Sequence, residues 1–276
     1  MGENMQFNRN RPDNLEDIMA NRNDPIAVFD SGMGGISVLR EMVRLMPEED
    51  FIYFGDSKNA PYGTKSMEEV KSLTLTNIAY LLDRYHAKAI GVACNTATSA
   101  AVRTLRQIYP DVPLVGVEPA IKPAVNSGEH PRVLVMATPY TIHGDKFQNL
   151  KKLYEESATI YPLPCPGLME FVERGELYGQ DLEDFLHKLM DPYLEKGIDG
   201  IVLGCTHYPF VADTIQKIAG NEVTIFDGSF GTARELLRRI TEAGLNQEKS
   251  HRGDVTFLNS SGDPGRLRLS RFLFHL

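Results

Sequence analysis

Apolar residues in this chain fall into two alternating rhythms. Short unbroken runs at Ile26–Phe29, Phe51–Phe54, Ala89–Ala93 and Leu114–Val117 read as strands buried on both faces. Between them lie stretches with helical spacing: Ile36–Leu45, apolar at Val38, Leu39, Met42 and Val43, then Met67–Tyr85 and Ala97–Ile108. Lys58–Ser66, carrying Ala60-Pro61-Tyr62-Gly63, reads as a loop. The second half repeats the alternation. Strands are expected at Arg132–Met136, Ala158–Tyr161, Gly200–Gly204 and Val223–Phe226, with a Pro-rich turn after Tyr161. A helix is expected after Ala137-Thr138-Pro139-Tyr140-Thr141, running to Tyr154. Further helices are expected at Gly167–Glu173, Leu182–Glu195, Ala212–Ile218 and Gly231–Ala243. The alternation predicts an α/β fold of two similar domains, each a mostly parallel sheet flanked by helices. The active site would lie in the cleft between them, at the carboxyl ends of the strands.

Composition narrows the class. The 276 residues are 42% hydrophobic, enough for a core that needs no metal or disulfide staple. Lys and Arg number 29 against 37 Asp and Glu, and the net charge of −8 argues against a broad nucleic-acid surface. No apolar run is long enough for a membrane span. Three cysteines make no disulfide framework and fit a reducing, cytoplasmic compartment. Residues 1–24 are rich in Asn, Arg and Asp and lack the apolar core and cleavage site of a signal peptide. They read as a flexible, dispensable extension with a short helix at Leu15–Ala20.

The candidate chemistry sits where strands end. Cys94 closes the run in AIGVACNTATSA, and Cys205 closes the run in GIVLGCTHYPFV. A cysteine after a buried strand is commonly a small core hydrophobe. Asn95, Thr96, Thr206 and His207 change that reading, because wholly buried polar neighbours would be expensive to satisfy. A following helix start also favours thiolate. Two such thiols in two domains suggest two faces of one substrate. Cys165, in LPCPG with no adjacent His or acid, reads as structural. Zinc is not expected, since no C-x-x-C pair exists and Cys205-x-His207 is too tight. A hydrolase with a cysteine nucleophile and His207 as base would leave one cysteine idle. A non-catalytic two-lobed amino-acid-binding protein would leave both idle. The turn Asp30-Ser31-Gly32-Met33-Gly34-Gly35 resembles an anion-binding turn but is neither a P-loop nor G-x-G-x-x-G. Asp30 suits an ammonium group or a base, or simply caps a helix. Pro61-Tyr62-Gly63 could expose amides to a carboxylate.

The segments FDSGMGG, FGDSKNAPYG, ACNTAT and GCTHYP, in this order, resemble the glutamate racemases of the aspartate/glutamate racemase superfamily. The resemblance runs from Ile26 to the closing FLNSSGDPGRL, and GLMEFVERGEL is similar to the segment bearing an acidic residue, here Glu173. It implies an isomerase without cofactor or metal that racemises glutamate for peptidoglycan synthesis by two-base proton transfer. Cys94 would serve D-glutamate, assisted by Asp30. Cys205 would serve L-glutamate, assisted by His207 with Glu173 behind it. Asp30, Ser31, Tyr62, Gly63, Asn95, Thr96, Thr206 and His207 would hold the amino acid, with Thr138 and Thr141 as further contacts. It also implies discontinuous domains, 25–121 plus 229–276 and 122–228, and a homodimer. Aspartate racemases and related thiol-dependent isomerases share the superfamily and remain alternatives.

Overall fold

The computed structural model describes residues 21–276. The helix expected at Leu15–Ala20 lies outside them. Asn21–Asp24 form a turn closed by Asp24 N–H on Asn21 O, and the Arg22 carbonyl accepts from the buried Lys88 ammonium at 2.5 Å.

The first part of the chain runs β1 (Ile26–Asp30), α1 (Ile36–Leu45), β2 (Phe51–Gly55), α2 (Met67–Tyr85), β3 (Ala89–Val92), α3 (Asn95–Ile108), β4 (Leu114–Gly116) and α4 (Ile121–Val125). The middle runs β5 (Arg132–Ala137), α5 (Pro139–His143), α6 (Asp145–Leu153), β6 (Thr159–Pro164), α7 (Leu168–Arg174), α8 (Gln180–Leu194), β7 (Gly200–Leu203), α9 (Ala212–Ala219) and β8 (Thr224–Asp227). The chain closes with α10 (Ser229–Glu242), β9 (Val255–Asn259) and α11 (Pro264–Phe274).

Two parallel sheets result. One has the order β4-β3-β1-β2-β9, the other β6-β5-β7-β8. The C-terminal strand β9 therefore joins the sheet built by the N-terminal part, pairing with β2 from Phe51↔Val255 to Gly55↔Asn259. Each central strand is an unbroken apolar run because helices cover both faces: all of β1, β2, β3 and β7 is buried. In each sheet the strand order reverses once, between β1 and β3 and between β5 and β7. Crevices at such reversals, beyond the carboxyl ends of the strands, are where open α/β sheets bind ligands.

Local chemistry explains where the structure departs from the sequence reading. The helix expected from Pro139 to Tyr154 is two helices, broken at Gly144, whose extended φ of −70° and ψ of 143° end one and begin the other. The Pro-rich stretch after Tyr161 continues β6 to Pro164 instead of turning. β6 is an edge strand, so Pro162 and Pro164 lose no ladder donor on the open side. The Lys58–Ser66 loop contains a 3-10 turn at Tyr62–Thr64. β9 and α11 had no counterpart in the expected pattern. Among the described residues the chain passes between the sheets twice, around Glu118 and around Gly228. The two passages touch: a Cβ on Gly228 would stand 2.2 Å from the Glu118 carbonyl oxygen.

Candidate active site

Both strand-order reversals end in a cysteine. Cys94 follows β3 and is the N-cap of α3, its Sγ accepting from Ala97 N–H at 3.5 Å. Cys205 follows β7 and precedes a 3-10 turn, Tyr208–Val211, rather than an α-helix. The two line one narrow cavity of about 20 Å³, with Ser31, Tyr62, Gly63, Asn95, Thr96, Thr138, Met169, Gly204, Thr206 and His207. That is room for about one ordered water, so the walls stand nearly closed in this arrangement. Cys94 and Cys205 are 6% and 7% exposed, so the site excludes most water. No Lys or Arg lines the cavity among the described residues. The Asn95 side-chain oxygen is buried without a hydrogen-bond partner among them. A buried unpaired acceptor is costly unless a ligand donates to it.

The sulfurs have unlike neighbours. Cys94 Sγ donates to Ser31 Oγ at 3.4 Å. Burial, and then the Asp30 carboxylate, push its thiol up to about 12, although Ser31 and the Ala97 N–H pull the other way. Asp30 ends β1 and is fully buried, its Oδ2 accepting from Gly32 N–H at 3.0 Å, with the Tyr53 hydroxyl 3.3 Å away. Burial pushes the Asp30 carboxyl up, partly offset by the His207 charge.

Cys205 Sγ lies 3.6 Å from His207 Nδ1, and His207 Nε2 lies 2.8 Å from Glu173 Oε1. Burial alone would lower the imidazole pKa, but Cys205 and Glu173 together hold it well above its ordinary value. That direction favours the protonated ring, whose two nitrogens would donate to Cys205 and Glu173. Burial alone would raise Glu173, yet its bond to His207, that ring's charge and the Met33 N–H keep it below the ordinary carboxylate range. Met33 N–H donates to Glu173 Oε1 at 2.9 Å, and Arg266 donates to Oε2 at 2.5 Å.

The glycine-rich turn does bind an anion, and that anion is the protein's own Glu173. The glycines also make room. A Cβ on Gly32 would stand 2.3 Å from Glu173 Oε1, and one on Gly34 would stand 2.3 Å from His207 Nδ1. Side chains at β7 and α7 are thereby seated against the backbone that follows β1.

Of the residues singled out from sequence, Ser31, Tyr62, Gly63, Cys94, Asn95, Thr96, Thr138, Cys205, Thr206 and His207 line the cavity. Asp30, Glu173 and Thr141 stand behind it. Thr141 Oγ1 is 3.1 Å from Thr138 Oγ1, which also accepts from Thr141 N–H as the cap of α5. Cys165 does not line the cavity; its Sγ donates to the Leu163 carbonyl. Met169, Gly204, Tyr53, the Met33 amide and Arg266 were missed. Met169 had a signal, because its i, i+4 spacing from Glu173 puts both on one face of α7. A backbone amide such as that of Met33 leaves none.

Known proteins agree with this architecture. Residues 26–234 match the family model described as Asp/Glu/Hydantoin racemase. A glutamate racemase of Clostridium perfringens is 50% identical over 255 residues, covering 92% of this chain and 98% of that protein. One of Clostridium botulinum is 47% identical over 258 residues, covering 94% of this chain and 100% of that protein. The crystal structure of glutamate racemase from Francisella tularensis in complex with D-glutamate superposes with a TM-score of 0.80 at 28% identity, covering 92% of this chain and 95% of that one. The chain is therefore an isomerase, and it belongs to the Asp/Glu/Hydantoin racemase family.

Proposed function

We propose that the protein interconverts L- and D-glutamate, with Cys94 and Cys205 exchanging protons at opposite faces of the α-carbon. One observation carries this reading: two cysteines at equivalent strand-order reversals of two sheets share one small enclosed cavity. Inverting a stereocentre by proton transfer needs a base on one face and an acid on the other. One sulfur must therefore be thiolate while the other is thiol. The α-proton is a very weak acid, so the carbanion-like state must be stabilised by fixed donors in a dry site. The hydroxyls of Ser31, Thr96, Thr138 and Thr206 and the Tyr62–Gly63 backbone, which line the cavity, would receive the carboxylates. The unpaired Asn95 oxygen suits the ammonium group.

In this reading Cys94, next to Asp30, takes the proton of D-glutamate, and Cys205, next to His207, takes that of L-glutamate. Asp30 and the imidazolium are then unlike proton reservoirs at the two ends of one path. D-glutamate for peptidoglycan is the product this assigns. Domains of residues 25–121 plus 229–276 and of 122–228, a cytoplasmic location and a homodimer belong to the same proposal.

The test is deuterium wash-in at the α-carbon of each enantiomer in D2O, with aspartate as the competing substrate. The unaltered protein should incorporate deuterium into glutamate with inversion. Cys94→Ala and Cys205→Ala should each abolish inversion. A rate within about tenfold of the unaltered protein, 1.4 kcal/mol in barrier, for either variant defeats the two-base assignment. Faster turnover of aspartate than of glutamate defeats the substrate assignment.

A further inference from the structure

We infer that Arg266, at the start of the C-terminal helix, is a positioning residue for the reaction, holding the Glu173 carboxylate that in turn holds His207 beside Cys205. The inference rests on the function proposed above.

Glu173 has two carboxylate oxygens with separate duties. Oε1 receives His207 Nε2 at 2.8 Å and Met33 N–H at 2.9 Å. Oε2 receives Arg266 Nη1 at 2.5 Å, its one partner among the described residues. The same nitrogen donates to the Glu173 main-chain carbonyl at 3.1 Å, so side chain and backbone of Glu173 are gripped together. Arg266 itself is fixed early in α11, where Asp263 caps the helix through Gly265 N–H at 2.8 Å and Pro264 begins it. Its side chain is about one-third exposed, whereas that of Glu173 is 11% exposed. A charge-assisted bond at a mostly dry carboxylate is among the stronger polar contacts.

Without the guanidinium, Oε2 would be left mostly buried and unpaired, and the carboxylate could turn away from the ring. The imidazole would then lose the group that sets its orientation and charge. The chain Arg266–Glu173–His207–Cys205 thus leads from the last helix to one sulfur and does not touch Cys94. Besides Arg266 and His207, the titratable groups facing Glu173 are Asp30 on β1 and Tyr53 on β2. The Asp30 carboxyl opposes the Glu173 charge and the Tyr53 phenol carries none, so Arg266 and His207 are the groups whose charge favours the carboxylate.

The experiment compares Arg266→Met, Arg266→Lys and the exposed neighbour Arg268→Met in the full-length protein. Both kinetic directions, the pH profile and the thermal midpoint are measured. Arg266→Met should lower kcat by about tenfold to a hundredfold, the scale of a small misplacement of reacting groups. KM should move by less than about twofold, since substrate contacts are untouched. The acid limb of kcat should shift to higher pH, because Glu173 with one cation fewer protonates more easily. Arg266→Lys should regain part of both effects, and Arg268→Met should change neither. Unchanged kcat in Arg266→Met overturns the inference. So does an equal loss in the Met and Lys variants accompanied by a matching fall in thermal midpoint.

The His207 Nε2–H proton resonance supplies a readout free of substrate. It is assigned by its loss in His207→Asn, and it should shift in Arg266→Met. An unmoved resonance overturns the inference. A shifted resonance in a protein that does not turn over glutamate would instead support it and defeat the proposed substrate.

Discussion

Gly34 has no side chain because the His207 ring occupies the space where one would begin. Gly34→Ala would put a methyl 2.3 Å from Nδ1, and a ring pinned by Glu173 and Cys205 has nowhere to retreat. We expect a loss of about 1–3 kcal/mol in stability, the cost of overpacking, and a larger drop in kcat than in KM. Steady-state kinetics and urea unfolding check both. The ion pair behind the ring makes a second prediction. Glu173 lies below its ordinary pKa, so its contribution is complete above about 4.5 and fades as pH falls through the lowered value. His207 lies above its ordinary pKa, so its contribution is complete below about 6.5 and fades as pH rises through the raised value. The pair therefore stabilises most between those limits. Unfolding free energies from pH 3 to 9 should show that plateau in the unaltered protein and lose its acid edge in Glu173→Gln. Cysteines, histidine and the polar residues beside them were legible in the sequence because a strand end followed by Asn-Thr or Thr-His announces itself locally. The seating of Glu173 on Met33 N–H spans 140 positions and was not, since it depends on how two sheets face each other.

The loop between β2 and α2 is shaped by one buried carboxylate. Asp56 accepts from the Tyr62 hydroxyl at 2.6 Å and from the amides of Asn59 and Asn77 at 3.0 Å each. Asn77 stands on α2, so the carboxylate ties the Tyr62–Gly63 wall of the cavity to the helix behind it. Asp56→Ala would leave three donors without their acceptor, at about 1–3 kcal/mol each where they stay buried. We expect KM to rise more than kcat falls, checked by kinetics at fixed temperature with circular dichroism as a control. Strands and helices with clear periodicity were predicted within a residue or two, as for β1, α1 and α2. β6 was cut short by reading Pro162 as a turn. Only the strand order reveals that it lies at an edge, where proline is tolerated. β9 was missed because half-exposed edge residues such as Thr256 break the apolar run.

At the scale of the molecule, the base of the first sheet is fastened by a buried ion pair. Lys88 and Glu49 are 0% and 4% exposed and lie 2.5 Å apart. Lys88 also reaches the Arg22 carbonyl, while Glu49 Oε1 accepts from Gln247 N–H at 2.9 Å. The start of the described chain, the amino ends of β2 and β3, and the return from α10 to β9 thus meet at one knot. It lies at the opposite ends of the strands from the cysteines. Glu49→Gln would leave a buried ammonium uncompensated and should cost about 3–5 kcal/mol. Because the site is remote, kcat at 25 °C should be unchanged. Denaturant titration and kinetics on the same preparation decide it. Nothing in the local sequence marks this pair, since a lysine before a strand and a glutamate in a turn are ordinary surface choices.

The contact of Gly228 with the Glu118 carbonyl has a mechanical meaning. Two passages of chain, pressed together, join the halves like the knuckles of a door. Sliding one half along the other would shear both passages, and twisting would pull them apart. Rotation about the line through them would leave both passages unstretched. At the cavity Gly63 meets Thr138, with a prospective Cβ only 3.3 Å from the threonine. Parting that contact would widen the cavity that the two cysteines share. A methyl added at Gly228 would press on the Glu118 carbonyl and wedge the two passages apart.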